Sequence, residues 1–132
     1  MSPGMRAARA VATVRLLWSV VLLAEPRRIL RAARASGEDS SARARGVVMV
    51  LGARNLVQAV VEFLHPSRMV LGLAAGVDAV HAASFLGLAT AERHARWRRA
   101  AQLNVLTALA FCAATAITAI AGTTTPDRQE TP

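Results

Sequence analysis

The sequence contains no lysine, no tyrosine and only one cysteine, and these shortages limit the kinds of site that the chain can form. One thiol, Cys112, cannot form a disulfide within the chain, and no cysteine or histidine spacing indicates a metal site. Aromatic residues make up only 4% of the 132 positions, so the stacking platform of many nucleic-acid-binding domains is missing. All 16 basic residues are arginines that mostly flank apolar segments, and we therefore do not interpret the net charge of +8 as a nucleic-acid signal.

Long apolar segments dominate the chain, in which 54% of the residues are hydrophobic. A helix needs about 20 mainly apolar residues to cross the hydrocarbon core of a bilayer. Four segments approach or reach that length, namely residues 9–24, 46–64, 69–90 and 100–121. We predict an all-α transmembrane four-helix bundle in one domain, residues 1–122, followed by a disordered polar tail, residues 123–132.

The first apolar segment is the weakest of the four because Arg15 lies within it. It is followed by Glu25-Pro26-Arg27-Arg28 and not by a small-residue cleavage site, so we expect an uncleaved membrane anchor. Arginines then alternate with apolar residues from Pro26 onward. This pattern predicts a short amphipathic helix on the membrane surface, ended by Ser36-Gly37 and a turn at residues 38–41.

The distribution of arginine predicts the orientation of the chain. Ten arginines fall in the connections after the first and third spans, against four on the other side of the membrane. Because cytoplasmic loops carry the excess of basic residues, we expect both termini outside the cytoplasm and the protein in a bacterial inner membrane. Trp97, beside the last arginine cluster, suits an anchor at the membrane interface.

Ionisable residues inside the spans are the most informative feature, since Arg or Asp at a helix centre costs about 2.5–3.5 kcal/mol to insert. Arg54 lies 12 residues before Pro66 and Asp78 lies 12 residues after it. In an antiparallel hairpin, equal offsets mean equal depth, so we predict an Arg54–Asp78 ion pair near the midplane. The predicted buried polar cluster comprises Arg15, Arg54, Asn55, Gln58, Glu62, Asp78 and His81.

Alternatives remain for the members of this cluster. The Arg54–Asp78 pair either holds helices together, which we favour, or belongs to a transport or proton-handling site. Glu62 lies near the end of its span and could instead extend toward water. A role for His81 as a haem or metal ligand is the weakest hypothesis, because no second histidine lies within a span.

Small residues predict where helices pack closely. Gly72 and Gly76 form a G-x-x-x-G motif, and Ala83 and Gly87 repeat the four-residue spacing. We expect this stripe to face another helix, and it argues only weakly for a dimer. In the last span, three polar residues could donate hydrogen bonds between helices, namely Asn104, Thr107 and Thr118.

Two short stretches contain the motifs on which a family resemblance rests. Residues 51–59 contain a G-x-R motif that ends at Arg54, and residues 77–84 contain a D-x-x-H motif from Asp78 to His81. The chain resembles an uncharacterised family of small bacterial four-helix integral membrane proteins, over roughly residues 15–121. The resemblance implies the four-helix architecture and a shared importance of Arg54 and Asp78. It implies no substrate and no cofactor.

We find no nucleotide-binding loop, no zinc spacing and no plausible Ser/His/Asp set, so we do not expect an enzyme, a metal or a cofactor. The predicted function is a structural or accessory role in the membrane, with the lipid bilayer as partner together with other membrane proteins or a second copy. A small transporter or proton-coupled carrier is the alternative. A membrane enzyme or redox subunit is the least favoured class.

Overall fold

A computed structural model describes residues 3–32, 42–91 and 95–121 of the chain. The described residues form five helices: α1 (Pro3–Ala24), α2 (Pro26–Ala32), α3 (Ala42–Leu64), α4 (Arg68–Ala91) and α5 (Ala95–Ala121). The turn expected at residues 38–41, the tail at residues 123–132 and the side chain of Trp97 lie outside what the structure describes. The protein is an all-α four-helix bundle with one additional short helix.

Local chemistry explains where the helices break. Pro26 has no backbone N–H and therefore cannot continue the hydrogen-bond ladder of α1, but its fixed φ suits the first turn of α2. The α3–α4 connection is a tight turn, in which the Ser67 N–H donates to the His65 carbonyl over 2.7 Å. Ser67 also caps α4, because its hydroxyl accepts a hydrogen bond from the Val70 N–H at 3.3 Å.

The four long helices are apolar enough to cross a membrane, as Pro3–Ala24, Ala44–Leu64, Arg68–Ala91 and Arg98–Ala121. Large apolar side chains such as Val50, Met69 and Leu106 are exposed on the outside of the bundle, while alanines fill much of its interior. This arrangement suits a lipid environment, in which an apolar exterior carries no penalty and small interior residues let helices approach. The predicted four spans and the predicted helix after the first span are confirmed.

Two helix pairs make up the bundle. α1 packs along α3, and α4 packs along α5, while α1 also touches α5. The Cys112 thiol of α5 donates to the Ala75 carbonyl of α4 at 3.3 Å. Although a tight turn joins α3 to α4, these two helices contact each other only sparsely, so the two pairs diverge.

The short helix α2 lies against the end of α3 that is remote from the α3–α4 turn. Leu30 is buried in a cluster with Leu22, Ala44 and Val48, whereas the arginines of α2 are exposed. The helix is therefore amphipathic, as the alternating sequence predicted.

The stripe of small residues on α4 does not pack inside the bundle. Gly72, Gly76, Ala83 and Gly87 are all exposed, and a Cβ atom built on any of the three glycines has no other described residue within 4 Å. The close packing expected of this stripe is therefore not made with another described helix of the chain, and packing against a partner stays a prediction. The buried face of α4 instead contains Leu71, Ala74, Asp78, Ala82 and Ala89, because α4 is turned so that Asp78 reaches its partners.

At Gly52, α3 packs so closely against α1 that the position requires glycine. A Cβ atom added there would lie 2.9 Å from Leu23 Cγ and 3.0 Å from Leu22 Cβ of α1. We expect Gly52→Val to lower the free energy of unfolding by about 1–3 kcal/mol, because the new side chain must push α1 away. Thermal unfolding in mild detergent measures the effect.

Gly76→Val is the matched control for this substitution, because the space around Gly76 is open. Its effect should stay below about 1 kcal/mol, the size of helix-propensity differences. Equal losses in the two variants would contradict the close approach of α1 and α3 at Gly52.

Candidate functional site

Arg15 of α1 lies at the centre of a buried polar network, and its side chain is 0% exposed. Its guanidinium donates to both carboxylate oxygens of Asp78 on α4, with Nη2–Oδ2 at 2.7 Å and Nη1–Oδ1 at 3.2 Å. Nη2 also donates to Thr115 Oγ1 of α5 at 3.3 Å, and Cζ lies 4.4 Å from the centroid of the Phe111 ring. One side chain thus connects three helices.

Asp78 is shared by two arginines. Besides the fork of Arg15, it accepts a hydrogen bond from Arg54 Nη2 of α3 at 3.1 Å. The Arg54–Asp78 ion pair expected from equal depth on the hairpin is therefore present in the structure. The two arginines differ in exposure, since the Arg54 side chain is 25% exposed whereas that of Arg15 is fully buried.

Glu62 of α3 completes the set of buried charges. Its Oε1 lies 3.5 Å from Arg15 Nε, which is an ionic contact but not a hydrogen bond. Both carboxyl oxygens are buried and accept no hydrogen bond from any described residue. The alternative that Glu62 extends toward water does not hold, because the residue is 0% exposed.

The network therefore contains Arg15, Arg54, Asp78 and Glu62, with two positive and two negative formal charges. Balanced charge limits the cost of placing ionisable groups in a medium of low dielectric constant. Hydrogen bonding is unequal, however, because Asp78 accepts hydrogen bonds from both guanidinium groups, whereas Glu62 accepts none from the described part of the chain.

The neighbouring polar residues of α3 have separate roles. Gln58 Nε2 donates to the Ala74 carbonyl of α4 at 3.0 Å and so links the two legs of the hairpin. Asn55 is nearly buried and lines a cavity beside the network. Residues 54, 58 and 62 follow one face of α3, as their four-residue spacing requires.

His81 lies next to the network and not within it. Its Nε2 is 3.2 Å from Asn104 Oδ1 of α5, and its ring stacks obliquely on Phe85 with 4.6 Å between centroids. Ser84, one step further along α4, bonds to the Val80 carbonyl of its own helix. Within the described ranges, no three His, Cys, Asp or Glu side chains converge on a possible metal position.

The sequence placed Arg15 in the cluster but did not identify its partners on α5, Thr115 and Phe111. Of the three polar residues expected to bond between helices, only Asn104 does so. Thr107 and Thr118 donate to carbonyls of their own helix instead, as threonines in helices commonly do. A buried arginine needs several acceptors, but α5 offers too many hydroxyl groups for the sequence to select one.

A cavity of about 650 Å³ opens between the two helix pairs where α3 and α4 diverge. It begins at Arg54 and Asp78 and extends toward the end of the bundle where α2 lies, since Leu30 and Ala44 also line it. Its wall is mainly apolar, with polar side chains near the network from Asn55, His81 and Asn104.

The fold and this site define the class of the chain, which is a small multi-pass helical membrane protein with a charge network between its spans. No protein-family model matches the sequence, and comparisons with curated proteins and with solved structures gave no significant match.

Proposed function

We propose that the protein has a structural or accessory role in the membrane and that its buried charges serve mainly to hold the bundle together. The observation that supports this proposal is the position of Arg15, which contacts Glu62 of α3, Asp78 of α4 and Thr115 of α5. All four spanning helices therefore contribute to one network. A buried group held by fixed partners on three other helices is suited to stability more than to turnover.

An accessory role requires a partner within the bilayer, either another membrane protein or a second copy of this chain. The test is affinity purification of the full chain from its native membrane in mild detergent, followed by identification of everything that co-purifies. We expect a membrane protein in near-stoichiometric amount. A preparation that contains only lipid and monomeric chain, even after crosslinking within intact membranes, would refute the accessory role.

The orientation that we propose places both termini outside the cytoplasm of a bacterial inner membrane. Support comes from the arginine distribution and from the exposed arginines of α2, which would lie at the cytoplasmic surface. An alkaline phosphatase fusion after residue 122 should be active, and a fusion within residues 34–41 inactive. An inactive fusion after residue 122, with the protein intact, would contradict the orientation.

A small carrier is the second candidate function, and the cavity favours it. The cavity ends at Arg54, Asp78 and His81, so a substrate would reach ionisable groups halfway across the membrane. His81→Gln separates the two functions, because His81 lies outside the charge network. Loss of transport by a folded, reconstituted variant would support a carrier, whereas an accessory protein should keep its partner in this variant.

A further inference from the structure

The cavity has the properties of a ligand-binding site with one charged end. Its volume of about 650 Å³ is within the roughly 300–1,000 Å³ that is usual for small-molecule sites. Side chains from each of α1 to α5 contribute to the wall. We propose that it binds an amphipathic carboxylate, a molecule with one anionic head group and an apolar body, with the carboxylate on Arg54.

Arg54 has the free donors that such a ligand requires. A guanidinium carries five N–H groups, and among the described residues Arg54 uses one of them, in the bond to Asp78. Its side chain is 25% exposed and lines the cavity, so the remaining donors are accessible from there. Arg15 is enclosed by its partners and is 0% exposed, which excludes it as the ligand contact.

Asn55 adds a second polar contact beside Arg54. It lines the same cavity, and the residue is only 9% exposed. A nearly buried amide normally has a hydrogen-bond partner, and a polar head group in the cavity would supply one. His81 and Asn104, which also line the cavity, are already bonded to each other.

The local charge favours a singly charged anion. The carboxylate of Asp78 is divided between Arg15 and Arg54, and the second buried carboxylate, Glu62, forms its ion pair with Arg15. The network is balanced as a whole, but Arg54 is therefore the less neutralised of its two guanidinium groups. A guanidinium fork matches a planar carboxylate in two parallel hydrogen bonds. A doubly charged phosphate is disfavoured because it would lie close to Asp78.

The apolar part of the wall sets the orientation and length of the ligand. Trp18, Leu22, Leu51 and Phe85 surround the space between the charged end and the α2 end. From Arg54 to Ala44 is ten residues of helix, or about 15 Å at 1.5 Å per residue. The head group of the ligand therefore lies deep in the bundle, and its apolar body points to the α2 end. This direction is the reverse of that of a phospholipid, whose head group lies at the membrane surface.

Trp18 makes binding measurable, since it lies in the cavity wall. The chain has two tryptophans, so Trp97→Phe leaves Trp18 as the only one. We would titrate this protein in phosphatidylcholine nanodiscs with 10-bromodecanoate, whose bromine quenches nearby indole fluorescence. We expect saturable quenching by the carboxylate, and only the non-saturating quenching of membrane partition by the uncharged 10-bromodecanol.

Arg54→Gln should weaken binding of 10-bromodecanoate about tenfold or more, as expected for loss of a charged hydrogen-bonding partner. Thr107→Phe fills the cavity from α5 and should abolish the saturable phase, whereas Ala110→Phe, an exposed position of the same helix outside the cavity, should leave it unchanged. If Arg54→Gln does not fold, the Thr107→Phe and Ala110→Phe variants still test whether the ligand binds in the cavity. The comparison with 10-bromodecanol still tests whether binding requires the charge of the ligand.

Equal saturable quenching by the alcohol, unchanged binding in Thr107→Phe, or tighter binding of a bromodecyl phosphate would each overturn the proposal. The proposal goes beyond the accessory role and does not depend on it. Failure to co-purify a partner would count against the accessory role only, and failure to bind 10-bromodecanoate in nanodiscs would count against the ligand site only. The two failures are therefore distinguishable.

Discussion

Asp78→Asn should lower the free energy of unfolding by about 3–5 kcal/mol, while Glu62→Gln should change it by about 1 kcal/mol or less. Both carboxyl groups are buried, and both replacements keep the size of the side chain. The difference comes from hydrogen bonding. Asp78 accepts three hydrogen bonds from Arg15 and Arg54, whereas Glu62 accepts none from any described residue.

Loss of the Asp78 charge leaves two guanidinium groups facing each other without a carboxylate between them. Loss of the Glu62 charge removes one ionic contact of 3.5 Å, and Arg15 keeps its fork to Asp78. Unfolding in increasing mole fractions of dodecyl sulfate, followed by far-ultraviolet circular dichroism, measures both variants. Similar losses in the two variants would mean that burial, and not hydrogen bonding, determines the role of each carboxylate.

Arg15→Gln should be as damaging as the change at Asp78, with a loss of about 3–5 kcal/mol, and Arg54→Gln should cost markedly less. Arg15 contributes three hydrogen bonds and a ring contact across α1, α4 and α5. Arg54 contributes one hydrogen bond, and its side chain is partly exposed in the cavity. The same titration in dodecyl sulfate compares the two variants, and a larger loss at Arg54 would contradict the central position of Arg15.

The shared carboxylate also determines the outcome of a charge exchange. A simple Arg54–Asp78 pair would tolerate Arg54→Asp combined with Asp78→Arg, because the charges merely change places. In the structure the new arginine at position 78 would instead meet the buried guanidinium of Arg15. We therefore expect the double variant to remain as poorly expressed as each single one. Full recovery of folded protein would show that Arg15 does not contact position 78.

Hydropathy predicted the helices well because a bilayer selects on length and apolarity. The predicted spans at residues 46–64, 69–90 and 100–121 lie within α3, α4 and α5, whose ends extend up to five residues further. α1 begins at Pro3, six residues before the predicted span. The reason is that a helix continues into the interface beyond the hydrocarbon, where Arg6 causes no insertion penalty.

The Arg54–Asp78 contact was predictable because a tight turn fixes the register of the two helices. Nothing comparable fixes the register of α1 against α4, which are separated by α2, the segment 33–41 and α3. The sequence therefore included Arg15 in the cluster without showing that it is the centre. Its contact with Thr115, 100 residues away along the chain, depends on helix packing alone.

Residue size showed where helices could approach but not which face turns inward. Gly72 and Gly76 have the expected spacing, yet they face outward, whereas Gly52 provides the close contact with α1. A helix with small residues on several faces has no unique packing surface. The buried face of α4 contains Asp78, which bonds to two arginines, whereas the glycines lie on an exposed face.

By itself the sequence determined four spans, a surface helix and a set of buried charges, because the bilayer acts on each segment through hydropathy and through the cost of desolvating charge. Only the tertiary structure decided which carboxylate receives hydrogen bonds, which face of α4 is buried and where a cavity remains. Those features depend on the association of α1 with α3 and of α4 with α5. That association comes from side-chain packing between segments distant in the chain, which no local pattern encodes.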